Sequence, residues 1–409
     1  MRRVTAILAM VPLAVLMTAC TTTQKPALFG DDLAFLQKHI DVIVLSDAAG
    51  SAQLAIAPCY QARVMTSTAD GANGVSFGWI NRELIASGKI LPHINSYGGE
   101  DRFWIGPEGG QFSIFFAKGT PFDLKHWQTP ALIDTEALDV VSKSQDRAAF
   151  RRRARLVNYS GTEFDFQIDR TIRLLTPDQA ARALGVSLPK STKMVVYESD
   201  NKMTNKGPRA WKKETGLLSI WILGIYNPSP ETTVVVPFKP GPENKLGPKV
   251  NDAYFGKVPA DRLIVKDDVL FFRGDGQCRS KIGVGPKRAK PILGSYDAVN
   301  GVLTLVQYTK PKGATDYVNS MWELQKHPYA GDVVNSYNDG PPEPGKKPLG
   351  PFYELESSSP AAALAPNASI SHVHRTFHLQ GSEQDLDAVA RAALGVGLDQ
   401  IKAAFGPKE

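Results

Sequence analysis

The stretch 351–380, PFYELESSSPAAALAPNASISHVHRTFHLQ, reads as two strands joined by a Pro/Ala-rich connection. Side chains alternate along a strand, so Glu354, Glu356 and Ser358 fall on one face of the first. In the second, His372, His374, Thr376 and His378 share one face, and Val373, Phe377 and Leu379 the other. Two carboxylates and three of the chain's seven histidines therefore stand on successive strands. The connection is short enough for the two to pair as antiparallel neighbours, which would turn acids and imidazoles toward one pocket.

Working outward, strand signals dominate. Residues 163–175 carry Phe164, Phe166, Ile168, Ile172 and Leu174 on even positions, with Arg170 as the one break. That is the period of a half-buried strand. Segments 42–45, 53–57, 60–66, 194–197, 217–225, 232–238, 269–272, 302–308, 316–324 and 333–337 read as further strands between Gly/Pro/Asn turns. Helices are few. Residues 31–40 place acids first and Leu33, Leu36 and Ile40 at helical spacing. Thr176-Pro177-Asp178-Gln179 is a capping box with proline at the first helical position, closed by Gly185. Ser382 opens a last helix that ends before Gly395. The Pro/Gly/Lys-rich segment 341–351 lies between strands and reads as a long loop. Many strands without βαβ alternation predict an all-β fold, a large antiparallel sandwich with short peripheral helices and a C-terminal helix.

The N-terminus has a different character. Arg2 and Arg3 precede the apolar run 4–17, which is shorter than the ~20 residues of a spanning helix. Thr18-Ala19-Cys20 then sets small residues before a cysteine. This pattern predicts a lipoprotein signal peptide over 1–19, with Cys20 lipidated; an ordinary secretory leader with an incidental cysteine is the alternative. The expected layout is a lipidated tether over 20–30, a sandwich domain over 31–380 and a C-terminal helical extension over 381–409. By analogy with lipoprotein sorting, Thr21 after the cysteine directs the chain to the outer membrane of a bacterial envelope, facing the periplasm.

Charge narrows the function classes. The chain has 47 basic and 41 acidic residues, a formal net charge of +6 that falls to +4 without Arg2 and Arg3. Nucleic-acid binders show basic stripes; here the one cluster, Arg151-Arg152-Arg153-Ala154-Arg155, reads as a solvated face. Cys59 and Cys278 lack metal spacing, and either a bridge between them or two separate thiols is compatible with an oxidising compartment. No cofactor motif, Walker loop or nucleophile elbow is present. His372 and His374 form an H-x-H that can hold a metal or stand as plain polar residues, and no metal ligand set is assigned.

The stretch 91–112, LPHINSYGGEDRFWIGPEGGQF, sets paired glycines around Arg102, Trp104 and Glu108. Glycine lets backbone approach a ligand, and tryptophan with charged groups suits the apolar and hydroxyl faces of a sugar. Ion pairs internal to a loop are the plainer reading. Arg279 and Lys281 share a strand face with Gln277, Trp322 lies in the 316–324 segment with Asn319, and Asn335, Tyr337, Asn338 and Asp339 lead into Gly340.

The acid-ending strand, the proline-containing segment and the closing strand of 351–380 resemble the C-terminal part of galactose mutarotase (aldose 1-epimerase). GGEDRFWIGPEGGQFS and SYNDGPP resemble a family of bacterial lipoproteins grouped with mutarotase-like folds. The resemblance implies a β-supersandwich with a sugar on its concave face. It implies Glu356 as catalytic base, Glu354 raising its pKa, and Arg102 as a substrate contact. The acid in mutarotases is a mid-chain histidine, whereas here no histidine lies between His126 and His327. His374 is the nearest candidate to replace it. Trp104, Glu108, Arg279, Lys281, Trp322, Asn338, Glu354 and His372 are the expected binding residues. Two readings follow: an isomerase acting on an aldose or glycan end, or a glycan-binding or structural lipoprotein that kept the sandwich without the acid.

Overall fold

A computed structural model describes residues 26–343 and 345–406. Its largest layer is a ten-stranded antiparallel sheet. In spatial order the strands are Leu263–Val265, Val269–Arg273, Thr232–Pro237, Ile292–Asp297, Val302–Tyr308, Ser369–Gln380, Lys193–Asn205, Glu163–Leu174, Arg147–Val157 and Asp139–Lys143. A five-stranded antiparallel sheet runs Ser280–Val284, Val334–Asn338, Tyr353–Ser358, Ser219–Tyr226, Arg102–Gly106. A three-stranded sheet of Ile43–Ser46, Gln53–Ala57 and Arg63–Thr68 completes the β structure. The expected large antiparallel sandwich is what the chain forms.

Glu163–Leu174 alternates buried and half-buried residues along its whole length, as its period demands. Its one break is a built feature. Arg170 is fully buried, its Nη2 lies 2.6 Å from Asp101 Oδ1, and Asn201 accepts a bond from its Nη1. The helix caps also follow the sequence. Thr176 and Gln179 form both bonds of the capping box, and Gly185 adopts the left-handed conformation at the C-cap. Ser382 caps Glu383–Leu394, whose Leu386, Val389, Ala390 and Leu394 pack against Phe377 and Leu379 on the outer face of the ten-stranded sheet.

Three expectations are corrected. The strands Tyr353–Ser358 and Ser369–Gln380 do not pair; they belong to different sheets. The even face of Ser369–Gln380 points into the sandwich, where Ser357, on the odd face of the other strand, meets it. Ser357 Oγ lies 2.8 Å from both His372 Nε2 and His374 Nδ1. Segment 316–324 is no strand: its Tyr317, Val318, Met321 and Trp322 fold over neighbouring loops. Within 91–112, Arg102–Gly106 is a strand, not a loop, and all five of its residues are buried. Two short helices, Arg82–Ser87 and Glu243–Leu246, join those expected. Cys59 and Cys278 are free thiols.

The layer between the sheets is partly polar. Glu100 accepts from Ser67, from Tyr197 Oη at 3.0 Å and from His378 Nε2 at 3.0 Å, and Thr304 Oγ1 engages His378 Nδ1 at 2.9 Å. Buried polar groups persist where partners replace water, and here the partners of Glu100 come from the three-stranded and ten-stranded sheets.

Candidate functional site

Register places the polar residues of the five-stranded sheet in rows on its outer face. One row runs Gly283, Asn335, Glu356, Leu223, Arg102; the next runs Lys281, Tyr337, Glu354, Ile225; a third joins Ser358, Trp221 and Trp104. Five strands that are distant in sequence thereby gather two carboxyls, an ammonium, a guanidinium and two indoles on one surface.

A cavity of about 280 Å³ opens on this face. Ser219, Trp221, Asn335 and Ser358 from the strands line it, with Arg279 and Lys281 at one wall and Tyr254 and Phe255 beside them. Glu108 and the loop bearing Trp322 form the opposite wall, where Trp322 Nε1 donates to Glu108 Oε1 at 3.2 Å. Two glycines permit the closure. A Cβ on Gly109 would lie 2.3 Å from the Met321 carbonyl oxygen, and one on Gly283 would lie 2.1 Å from Asp332 Oδ2.

Glu356 sits directly beneath the floor and is itself 0% exposed. Its Oε2 accepts from Lys281 Nζ at 3.0 Å and Trp221 Nε1 at 2.9 Å, while Oε1 has no hydrogen-bond donor among the described residues. Burial alone would lower the Lys281 pKa; the charges of Glu356, Glu108 and Glu354 outweigh it and hold the ammonium above its ordinary value. Lys281 also stands over the Trp221 ring at 4.8 Å. Glu354 differs from its neighbour. Burial first, and then the charge of Glu356, push its carboxyl well above the usual range, against Lys281 and Arg102. Glu354 therefore holds its proton more tightly than an ordinary carboxyl, whereas Glu356 is ion-paired with Lys281. Burial likewise raises Glu108, opposed by Lys281, and raises Asp332, opposed by the Tyr254 hydroxyl 2.6 Å away.

Of the residues singled out from sequence, Glu108, Arg279, Lys281 and Trp322 line the cavity, and Glu354 and Glu356 lie in the rows beneath it. Arg102 and Trp104 are on the same face at the edge strand but do not line the cavity. The guanidinium stacks 4.0 Å from the centre of the Trp104 ring, its Nη2 lies 3.8 Å from Asp134 Oδ1, and Nε and Nη2 make no hydrogen bond among the described residues. Asn338 faces inward, where its side chain holds Gly276 N and the Cys278 carbonyl. His372 and His374 are on the far side of the sheet from the cavity, fully buried. Burial lowers His372 to about 3, helped by His374; burial lowers His374 to about 4, with Asp101 opposing. Cys20 lies outside the described residues. Sequence reading passed over Trp221, Tyr254, Phe255 and Asp332. The strand period of 219–226 put Trp221 on the Leu223 face and could have shown it; Tyr254 and Phe255 lie in an irregular loop that carries no such signal.

Residues 27–405 match a family model described as a family of unknown function, DUF6786, and the chain belongs to that family. No curated protein matches the chain in sequence. Among solved structures it is similar to a candidate aldose 1-epimerase from Escherichia coli K12, at 12% identity over 84% of this chain and 99% of that one, with a TM-score of 0.49. It is also similar to a galactose mutarotase-like protein from Lactobacillus casei, at 11% identity over 83% and 100% of the two chains, with a TM-score of 0.45. A galactose mutarotase related enzyme from Lactobacillus acidophilus matches at 11% identity over 83% and 97%, with a TM-score of 0.44.

Proposed function

We propose that this protein is a lipid-anchored envelope protein that binds a carbohydrate in the outer-face cavity, with Glu356 as base of a mutarotase-like proton transfer. The observation that carries the reading is the Lys281–Glu356–Trp221 cluster under the cavity, with Glu354, whose pKa burial raises, beside it. Ring opening of an aldose needs a base for the anomeric hydroxyl proton and an acid for the ring oxygen. Two neighbouring carboxyls in unlike surroundings, one ion-paired and one that holds its proton more tightly than usual, suit that pair of roles. Glu356, ion-paired to Lys281, takes the base's part. Glu354 takes the acid's part that the sequence reading gave to His374, since a histidine on the far side of the sheet cannot reach a ligand in the cavity. Trp221, Trp322 and Phe255 offer the flat apolar surfaces on which a sugar ring packs.

Binding without catalysis is favoured by one feature. Lys281 and Trp221 stand between Glu356 and the cavity and occupy Oε2. Polarimetry of freshly dissolved α-aldoses, corrected for the spontaneous rate, separates the readings. Acceleration that is lost in Glu356→Gln supports proton transfer; saccharide binding by calorimetry without acceleration leaves the binding reading; neither effect across a panel of aldoses overturns both.

A further inference from the structure

We infer that the sugar bound in this cavity carries a carboxylate, and that Arg279 reads it. The inference rests on the carbohydrate reading of the cavity and names the substrate class. Three charged groups that line the cavity have close partners: Lys281 has Glu356, Glu108 has the Trp322 indole, and Asp332 has Tyr254 and Asn251, while the exposed Glu323 adds a carboxyl to the lining. Arg279 is the cation without such a partner. Among the described residues no ion pair or hydrogen bond ties it to a carboxylate, and its charge acts on Glu108 and Asp339 from longer range. Its guanidinium lies 4.0 Å from the centre of the Phe255 ring, a residue 43% exposed, at the wall shared with an adjoining cavity.

Stacking on an aromatic face fixes the guanidinium plane and leaves its N–H fork free at the edge. That fork matches the two oxygens of a carboxylate. Lys281 stands two residues along on the same wall and gives only one of its three N–H bonds to protein, to Glu356. The fork and the ammonium together are a donor set for two oxygens. A phosphate would present a third oxygen, and the lining offers no further cation for it. The class that meets these demands is a uronic acid, free or at a glycan end.

Calorimetry with glucuronate, galacturonate, the matching neutral hexoses and a hexose 6-phosphate tests this on wild type and Arg279→Gln. The uronates should bind wild type about tenfold more tightly than the hexoses, a margin of one charge-assisted contact. Arg279→Gln should remove that margin, bringing the uronates down to the affinity that the same variant shows for the neutral hexoses. Equal binding of uronates and hexoses, or a margin that survives Arg279→Gln, overturns the inference while leaving the carbohydrate reading intact. Tighter hexose phosphate binding that depends on Arg279 overturns the choice of carboxylate. No binding of any sugar removes the carbohydrate reading itself.

Discussion

The Lys281 ammonium lies 3.0 Å from Glu356 Oε2, and both side chains are almost completely withdrawn from water. Withdrawal makes the pair interdependent. Each charge has lost most of its hydration and keeps the other as replacement, so removing one partner leaves a buried charge uncompensated. The carboxyl two residues away on the same face, Glu354, has no ion pair of its own among the described residues, and burial, then the charge of Glu356, push its pKa well above the usual range. One strand thus carries two carboxyls in unlike surroundings, distinguished by which of them pairs with Lys281.

Glu356→Gln tests the interdependence. An exposed acidic strand face would tolerate the change, but Glu356 is fully buried against Lys281. The expected loss of unfolding free energy is about 3 kcal/mol, within the range for breaking a buried pair. Replacing both partners, with Lys281→Met and Glu356→Leu, should recover most of it. Urea unfolding of the three proteins is the measurement. A single variant as stable as wild type would show that water reaches the pair.

The inter-sheet histidines set a pH dependence of stability. Folded, His372 and His374 have pKa values lowered from 6.5 to about 3 and about 4. Unfolded, both protonate near 6.5, so between that pH and about 4 the unfolded state binds more protons. Stability therefore falls as pH drops through this window, by up to about 1.4 kcal/mol per pH unit for each histidine. His374→Gln should flatten the slope measured by urea titrations at pH 7, 6 and 5. An unchanged slope would mean the imidazole is protonated in the fold.

Much of this architecture was legible in the sequence, and the part that was not has a common cause. Period-two patterning marked Glu163–Leu174, and capping residues marked both the Pro177–Leu184 and Glu383–Leu394 helices, because these signals are local. The shared faces of Glu354 with Glu356 and of Arg279 with Lys281 were legible for the same reason. Which face meets which is not local. Alternation assigned the histidines to one side of their strand, but their partner strand was set by a sheet assembled from residues 102 to 358. Arg102–Gly106 escaped notice because both of its faces are buried, so it shows no alternation of polar and apolar residues. Segment 316–324 misled in the opposite way: its apolar residues pack over a cavity wall rather than along a strand.

Localisation rests on the leader sequence alone. Arg2, Arg3, the apolar run and the small residues before Cys20 predict lipidation at that cysteine. Cys20→Ala should move the protein from the membrane fraction to the soluble fraction, or leave the leader uncleaved. Fractionation with a mass measurement of the mature N-terminus decides it; a variant that stays membrane-bound with its leader removed would refute the anchor.

Glu354→Gln should separate stability from activity. The folded pKa of Glu354 is raised well above the ordinary glutamate value of 4.5, first by burial and then by Glu356. A raised folded pKa gives stability that is fully present below the unfolded pKa and is lost as pH rises, because the unfolded carboxyl ionises freely while the folded one resists. Glutamine keeps the shape and the neutral state and has no proton to lose. The variant should therefore match wild type near pH 4 and exceed it at pH 8, as read from urea midpoints at the two values. Activity should move the other way. If Glu354 donates the proton to the ring oxygen, its loss lowers the anomerisation rate by about 100- to 10,000-fold. A variant less stable than wild type at pH 8 would mean that Glu354 is ionised and paired in the fold. Full activity with the stability gain would assign the acid to another group, and Lys281, the other proton donor on that wall, would be next to test.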